Sequence, residues 1–348
     1  MSYVKILSRK RDFRIPESGI SAVEELDIGG IKQSILIQAK HSDKPVLLFI
    51  HGGPSMPLPG VSCRSRDYTV AATTKELVQH YVLVFWDQRG TGKSYHPNIP
   101  KDSIRLSQFM SDAEEVVDYL RESFNQDKIL IAAHSWGSVI GLSLAAKIPA
   151  KLHAYVGISQ IIDWTQNDRL CREWAISEAI RRGNKKAVDQ LTQLGEPPYT
   201  ESLKQWGQLR TWLMKFNSMI YKDKEIKPPS LMDAAKIMLY SPDYTLKDMY
   251  NSFYKGFKLS YSQQMIEDFS TVNFFRTAKK IEIPLFFIHG RKDVHVYGSL
   301  VQTYLDQLVA TISKQLLWVE KSSHMFHLDD AKEIEQILIN RVGAAINH

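Results

Sequence analysis

Ser135 is the residue of this sequence with the clearest potential for covalent chemistry. It lies in Ala133-His134-Ser135-Trp136-Gly137, between an apolar run and a segment with helical periodicity. This segment matches the pattern Gly-x-Ser-x-Gly of a sharp strand-to-helix turn, except that Ala133, also small, replaces the first glycine. Such a turn directs the hydroxyl away from the sheet, and the helix N-terminus adds a favourable dipole. A lone serine here could equally cap a helix, but the surrounding sequence predicts a nucleophile.

A serine nucleophile needs a base, and the base needs a third group that orients it. On such a turn the order along the chain should be serine, acid, histidine. Asp293 follows the apolar run 284–288 in a Gly-Arg-Lys-Asp loop, and His324 follows the run 315–319 in a Ser-Ser-His loop. The order and the positions at strand ends predict a triad of Ser135, Asp293 and His324.

Other histidines and aspartates lie near these two partners. His327 is expected inside the following helix, and packing is the simpler role for His289 and His295. Asp329 and Asp330 fit a helix start better than a triad.

The segment His51-Gly52-Gly53-Pro54 follows another apolar run. Two glycines let the backbone approach a substrate and direct N–H groups at a developing oxyanion. Because Pro54 has no N–H, we expect Gly53 to donate, with Gly52 left as an alternative, and Trp136 to supply the second N–H. A plain glycine turn is the alternative interpretation.

Residues 87–94 (DQRGTGKS) follow a further apolar run and resemble a phosphate-binding loop in their glycines and Lys-Ser ending. The spacing GxxxxGK[ST] is not met, however. We therefore predict a structural turn that supports the site and takes no part in the chemistry.

The elements that position these residues are predicted from continuous apolar runs, which are typical of strands covered on both faces. The runs are 34–38, 45–50, 81–86, 128–133, 154–159, 284–288 and 315–319, and helical periodicity covers 106–124, 139–148 and 300–312. Alternation of strands and helices favours a mostly parallel sheet, with ligands bound beyond the carboxyl ends of its strands.

Residues 160–275 interrupt this alternation and show mainly helical patterns. They contain four of the seven tryptophans and six of the ten methionines. We interpret the segment as a helical cap inserted into a catalytic core of residues 1–159 and 276–348.

Composition excludes several other classes of protein. The net charge of +6 is spread over 348 residues without a run of five or six like charges, so nucleic acid is not an expected partner. The two cysteines form no metal-binding pattern, and no apolar run reaches the about 18 residues of a membrane span. We expect a soluble cytoplasmic protein that needs no cofactor and no metal, with its oligomeric state left open.

The motifs HGGP, DQRGTGKS and HSWGS, followed by the loops of Asp293 and His324, resemble those of the proline iminopeptidase group of α/β-hydrolases. The resemblance covers roughly residues 30–160 and 280–340. It implies an α/β-hydrolase fold, with a mostly parallel central sheet flanked by helices and an inserted helical cap. It also implies an aminopeptidase that removes an N-terminal proline or a similar residue from small peptides.

The sequence departs from the group at several positions. Ser55 replaces the last glycine of HGGPG, Ala133-His134 replaces Gly-Gly, and Ser323 replaces the glycine before the histidine. In the group, cap glutamates bind the free amine of the substrate. The comparable stretch 206–213 (WGQLRTWL) has no glutamate after its second tryptophan, and none of the cap glutamates, Glu173, Glu178, Glu196 and Glu201, can be assigned to that role.

The sequence therefore predicts a serine hydrolase that works through an acyl-enzyme. An aminopeptidase specificity and an esterase or other small-molecule ester or amide hydrolase both remain open. A non-catalytic ligand-binding protein on the same scaffold is the alternative from another class. A haloalkane dehalogenase is disfavoured, since its nucleophile is an aspartate.

Overall fold

An eight-stranded sheet forms the centre of the molecule. The computed structural model describes residues 11–310 and 312–346; residues 1–10, 311 and 347–348, which include both ends of the predicted core, lie outside this range. The strands, in spatial order, are β1 (Ile20–Ile28), β2 (Ile31–Ala39), β4 (Val82–Asp87), β3 (Val46–Ile50), β5 (Ile129–His134), β6 (Leu152–Ile158), β8 (Leu285–Gly290) and β10 (Lys314–Val319).

The first two strands form an antiparallel hairpin, and β2 pairs antiparallel with β4. Every other neighbouring pair of the sheet is parallel. Gly29 and Gly30 form the hairpin turn with φ of +54° and +74°, a conformation that glycine adopts without strain. The predicted mostly parallel sheet is confirmed. The carboxyl ends of β5, β8 and β10 therefore meet at one edge of the sheet.

Helices cover both faces, which explains why the central strands are continuously apolar. The side chains of β3, β4 and β5 are buried along their whole length. The flanking helices are α1 (Leu77–His80), α2 (Leu106–Ser123), α3 (Trp136–Lys147), α12 (Gly298–Gln307) and α13 (Leu328–Ile337).

A helical segment connects β6 to the last strands. Its helices are α4 (Trp164–Arg181), α5 (Lys185–Gln193), α6 (Leu203–Lys215), α7 (Leu231–Leu239), α8 (Leu246–Tyr250), α9 (Phe257–Ser260), α10 (Gln263–Thr271) and α11 (Phe274–Thr277), with a π-helical stretch at Asn251–Gly256. Its two ends meet at an antiparallel bridge between Asp163 and Asn273, where the Asn273 amide donates to the Asp163 carboxylate at 2.6 Å. The segment thus leaves and rejoins the sheet at one place. Its role as a cap stays a prediction.

One predicted helix ends earlier than the apolar pattern suggests. The pattern predicts helix over 300–312, whereas α12 ends at Gln307. The next residues form the short strand β9 (Val309–Ala310), which pairs in parallel with β7 (Lys280–Ile281). This pairing joins positions distant in sequence, so local periodicity does not reveal it.

Both cysteines are buried and free. Among the described residues, no helix is long and apolar enough to cross a membrane.

Candidate active site

Ser135 lies at the turn between β5 and α3, in a backbone conformation of φ +54° and ψ −120°. Serine rarely adopts a positive φ, and such strain is typical of functional turns. Gly137 permits the turn, because a Cβ atom there would lie 2.4 Å from the Ile50 carbonyl oxygen. A Cβ on Gly141 would lie only 2.9 Å from the Ala133 Cβ, so a glycine opposite leaves room for the alanine that replaces the first glycine of the pattern.

The structure brings the three residues of the predicted triad together. His324 Nε2 lies 2.8 Å from Ser135 Oγ, and His324 Nδ1 lies 3.0 Å from Asp293 Oδ2. All three come from loops at the carboxyl ends of β5, β8 and β10. The hydrogen bond to Asp293 leaves Nε2 of a neutral imidazole free to accept the serine proton.

Asp293 is held as a carboxylate by its surroundings. Its Oδ1 accepts the backbone N–H groups of His295 and Val296 at 2.8 and 2.9 Å, and Ser159 Oγ donates to Oδ2 at 3.1 Å. Burial by itself raises the pKa of Asp293, but the charge and hydrogen bond of His324 outweigh it and hold the pKa below its ordinary value. A carboxylate anchored by three donors can orient the imidazole.

The other histidines near the site have different partners. His289 Nε2 bonds to the Val296 carbonyl at 2.8 Å, and His295 Nδ1 bonds to Ser218 Oγ at 2.9 Å. His327 is the N-cap of α13, so it lies one residue before the helix and not inside it as expected from the sequence. Asp329 and Asp330 lie in the first turn of that helix.

Burial keeps three of the surrounding rings neutral near pH 7. It lowers the pKa of His51 to about 4, and it lowers the pKa of His134 and of His295 to about 3, with the His324 charge contributing for the last two. His324 is thus the histidine with both a hydroxyl and a carboxylate as partners.

The two-glycine loop lies against the nucleophile. A Cβ atom on Gly52 would be 3.0 Å from the Ser135 Cβ, and Gly53 has a φ of +32°. Within the described residues, the N–H groups of Gly52, Gly53 and Trp136 have no hydrogen-bond partner. All three remain available to an oxyanion, and the choice between Gly52 and Gly53 stays open.

Gln88 belongs to the segment predicted to be a structural turn that supports the site. Its side-chain amide donates to the His51 carbonyl at 2.9 Å and accepts the Trp136 indole N–H at 3.0 Å. It thereby joins the two segments expected to form the oxyanion hole. Gln88 comes directly after the buried strand β4, but its individual contacts could not be read from the sequence.

Two other residues of segment 87–94 also connect separate parts of the structure. Arg89 is buried and forms a two-point ion pair with Asp112 at 2.8 Å, and it donates to the Gly29 carbonyl. Asp87 accepts the Tyr244 hydroxyl from the helical segment.

A cavity of about 1140 Å³ opens over Ser135 and His324. Its wall is mainly apolar and includes Met56, Trp206, Met214, Phe257 and Tyr261. This volume greatly exceeds that of one small side chain, so the site can accept an extended apolar group.

None of the cap glutamates considered in the sequence lies in the cavity wall. Glu178 pairs with Arg181 and Arg182, and Glu196 pairs with Arg169 and Arg172. Glu173 and Glu201 are exposed. Among the described residues, no group of three His, Cys, Asp or Glu side chains could hold a metal ion.

Comparison with known proteins identifies the family. A family model described as alpha/beta hydrolase fold matches residues 45–331. The chain belongs to the α/β-hydrolase family. The α/β-hydrolase fold expected from the sequence is thereby confirmed.

Two proteins similar to this chain carry names that denote different activities. The chain is 29% identical over 318 residues to the probable aminopeptidase YbaC of Bacillus subtilis, covering 91% of this chain and 95% of the relative. It is 23% identical to epoxide hydrolase 1 of Caenorhabditis elegans, covering 86% of this chain and 65% of the relative.

A solved structure of proline iminopeptidase from Mycobacterium smegmatis superposes with a TM-score of 0.63 at 14% identity, covering 94% of this chain and 99% of the other. This likeness shows a shared fold. With the aminopeptidase relative, it supports the proline iminopeptidase-like relationship inferred from the motifs.

Proposed function

We propose that the protein is a serine hydrolase that cleaves carboxylic esters or amides through an acyl-enzyme. The observation that carries the proposal is the continuous hydrogen-bonded chain from Ser135 Oγ through His324 to Asp293. This arrangement activates a serine hydroxyl and needs no further group for hydrolysis.

In the proposed mechanism, Ser135 Oγ attacks the substrate carbonyl carbon as its proton moves to His324 Nε2. Asp293 stabilises the imidazolium, and the Trp136 N–H with that of Gly53 or Gly52 stabilises the oxyanion. The intermediate collapses, and the leaving alcohol or amine takes the proton from His324. Water then attacks the acyl-serine with His324 again as base, which releases the acid and restores the hydroxyl.

Epoxide hydrolysis, the activity in the name of one relative, does not fit Ser135 as the nucleophile. A serine that opened an epoxide would form an ether, which water does not readily hydrolyse, whereas an acyl-serine is an ester that water can cleave. The residue at position 135 therefore favours acyl transfer.

Two substrate classes remain within this chemistry. The aminopeptidase relative and the proline iminopeptidase-like motifs favour removal of an N-terminal residue from small peptides. The apolar wall favours esters or amides without a free amine, because a buried ammonium requires a paired carboxylate and the wall includes none among the described residues. On geometry we favour the second class.

The test uses Ser135→Ala with Ser143→Ala as control. Ser143 lies on α3, and its hydroxyl bonds only to the carbonyl one turn earlier. We expect Ser135→Ala to fold normally, to lose fluorophosphonate labelling and to lose several orders of magnitude in kcat toward p-nitrophenyl esters. Ser143→Ala should retain all three properties.

Full ester hydrolysis by Ser135→Ala would contradict the mechanism. A native protein that neither reacts with fluorophosphonate nor hydrolyses any substrate would support the non-catalytic alternative. Proline β-naphthylamide measured beside the esters separates the two substrate classes.

A further inference from the structure

The ionisable side chains in the cavity wall, apart from the histidines and Tyr254 and Tyr261, are all cationic. They are Arg210, Lys215 and Lys258, and no aspartate or glutamate of the described residues joins them. Lys215 and Lys258 are exposed at their positions on α6 and α9, whereas Arg210 is mostly buried. The cavity thus presents positive charge to a substrate.

Arg210 is held by Asp168, which lies behind the cavity wall, and by Trp206, which is part of that wall. Its Nη2 donates to Asp168 Oδ1 at 2.6 Å, and its Cζ lies 4.3 Å from the centre of the Trp206 ring. Asp168 is buried and does not line the cavity. The carboxylate therefore fixes the guanidinium from behind the wall, and Arg210 itself is part of that wall.

One donor of this guanidinium is unused. Arg210 Nη1 is buried and has no hydrogen-bond partner, while the side chain as a whole remains 19% exposed. An unsatisfied buried donor is unfavourable, and more so when it is charged. Nη1 itself is closed off from the cavity, so a ligand meets the accessible part of this side chain, which belongs to the cavity wall.

Arg210 lines the same cavity as Ser135 and His324 of the triad. Burial is the main cause of the low pKa of His295, and the Arg210 charge contributes to it. The His295 ring lies 4.8 Å from the His324 ring, and both rings line the cavity with Arg210. A substrate held at Ser135 therefore occupies a cavity that Arg210 also lines.

We propose that Arg210 is a specificity-determining residue that binds a carboxylate on the acyl group of the substrate. The preferred substrates are then esters or amides whose apolar acyl chain ends in an anionic group, and a free ammonium at that end is rejected. This inference rests on the serine hydrolase function proposed above. The two exposed lysines add attraction for the same charge.

The experiment compares three p-nitrophenyl esters of equal chain length. The adipate monoester carries a negative charge, the hexanoate ester is neutral, and the 6-(trimethylammonio)hexanoate ester carries a positive charge. For the native protein we expect kcat/KM to fall in that order, with the adipate monoester preferred over hexanoate by about tenfold or more.

The decisive variants change the guanidinium. Arg210→Met alone would leave Asp168 buried without its partner, so it is combined with Asp168→Asn. This double variant should lose the preference for adipate, measured as the ratio of kcat/KM for the adipate monoester to that for hexanoate. Arg210→Lys keeps the charge without the planar fork and should show a reduced preference. It also serves as the second test if the double variant does not fold.

Two results would overturn the inference. One is an equal or better rate with the cationic ester, and the other is an adipate preference that survives neutralisation of Arg210 and is lost in the Lys215→Met/Lys258→Met variant instead. In both cases hexanoate is still hydrolysed and Ser135 still labelled, so the proposed function stands. Absence of hydrolysis of all three esters together with absence of labelling would instead refute the proposed function.

Discussion

Gly52 lies so close to the nucleophile that a side chain there would force its neighbours to shift. A methyl group at this position would be 3.0 Å from the Ser135 Cβ and 3.2 Å from His134 Nδ1. The loop that carries the expected oxyanion donor can approach Ser135 only because position 52 has no Cβ atom.

We therefore predict that Gly52→Ala lowers kcat by about tenfold to hundredfold, because a small displacement of the loop misplaces its N–H groups. The matched control is Gly207→Ala on α6, where a Cβ atom would meet nothing within 4 Å. The control should gain about 0.5–1 kcal/mol of stability from its higher helix propensity. Steady-state kinetics and denaturant unfolding measure both effects. Native kcat in Gly52→Ala would show that the loop is not part of the machinery.

At the scale of elements, the ion pair of Arg89 and Asp112 joins three parts of the core. Arg89 follows β4, Asp112 lies on α2, and the Gly29 carbonyl belongs to the hairpin turn. Both charged side chains are almost completely buried. Gln33 also donates to Asp112 at 2.8 Å, so the carboxylate is well supplied with donors.

Removing one partner of a buried pair leaves an uncompensated charge, so Asp112→Asn should lower the free energy of unfolding by about 3 kcal/mol or more. Asp118→Asn on the same helix is the control. Its side chain is 38% exposed and pairs with Arg121 and Lys151, so we expect a loss below about 1 kcal/mol. Guanidinium titration of both variants measures the difference. Equal losses would show that burial does not decide the contribution.

The sequence revealed the elements whose pattern depends on local burial. The strands around Ser135, Asp293 and His324 were predicted to within a few residues, because strands covered on both faces are continuously apolar. The early end of α12 and the particular hydrogen bonds of Gln88 were not predicted, since each depends on contacts between distant segments. In the sequence, the stretch Trp206–Leu213 differs from the proline iminopeptidase group because it has no glutamate after its second tryptophan. The position of Arg210 in the cavity wall became apparent only from the three-dimensional arrangement.

At the scale of the whole molecule, the site is built from the sheet and the helical segment together. Ser323 Oγ donates to the Ser218 carbonyl at 2.8 Å, and the Met325 N–H donates to the Met219 carbonyl at 2.9 Å. The loop that carries His324 is thus bound on both sides to the helical segment. Opening that segment would disturb the base as well as the cavity.

The buried neutral histidines predict how stability depends on pH. The pKa of His51 is about 4 in the folded protein, and burial lowers the pKa of His134 and His295 to about 3. An unfolded chain binds protons at these histidines below about pH 6.5. As the pH falls from there toward about 4, the unfolded state gains protons that the folded state refuses, and stability decreases.

We expect the free energy of unfolding to fall between about pH 7 and pH 5, by up to about 1.4 kcal/mol per pH unit for each such histidine. His51→Gln should reduce this slope. In the native ring Nε2 accepts the Gln88 N–H and Nδ1 donates to the Gly52 carbonyl, which leaves no place for a second proton. His80→Gln, at an exposed position, should leave the slope unchanged. An unaltered slope in His51→Gln would contradict this explanation.

The strained backbone at Ser135 has a consequence for laboratory evolution. A non-glycine residue with positive φ costs about 1–3 kcal/mol, and glycine relieves that cost. A library selected for heat resistance alone would therefore enrich Ser135→Gly, a chain that folds better and has no nucleophile. Breeding a more robust catalyst from this scaffold requires that turnover be scored in every round.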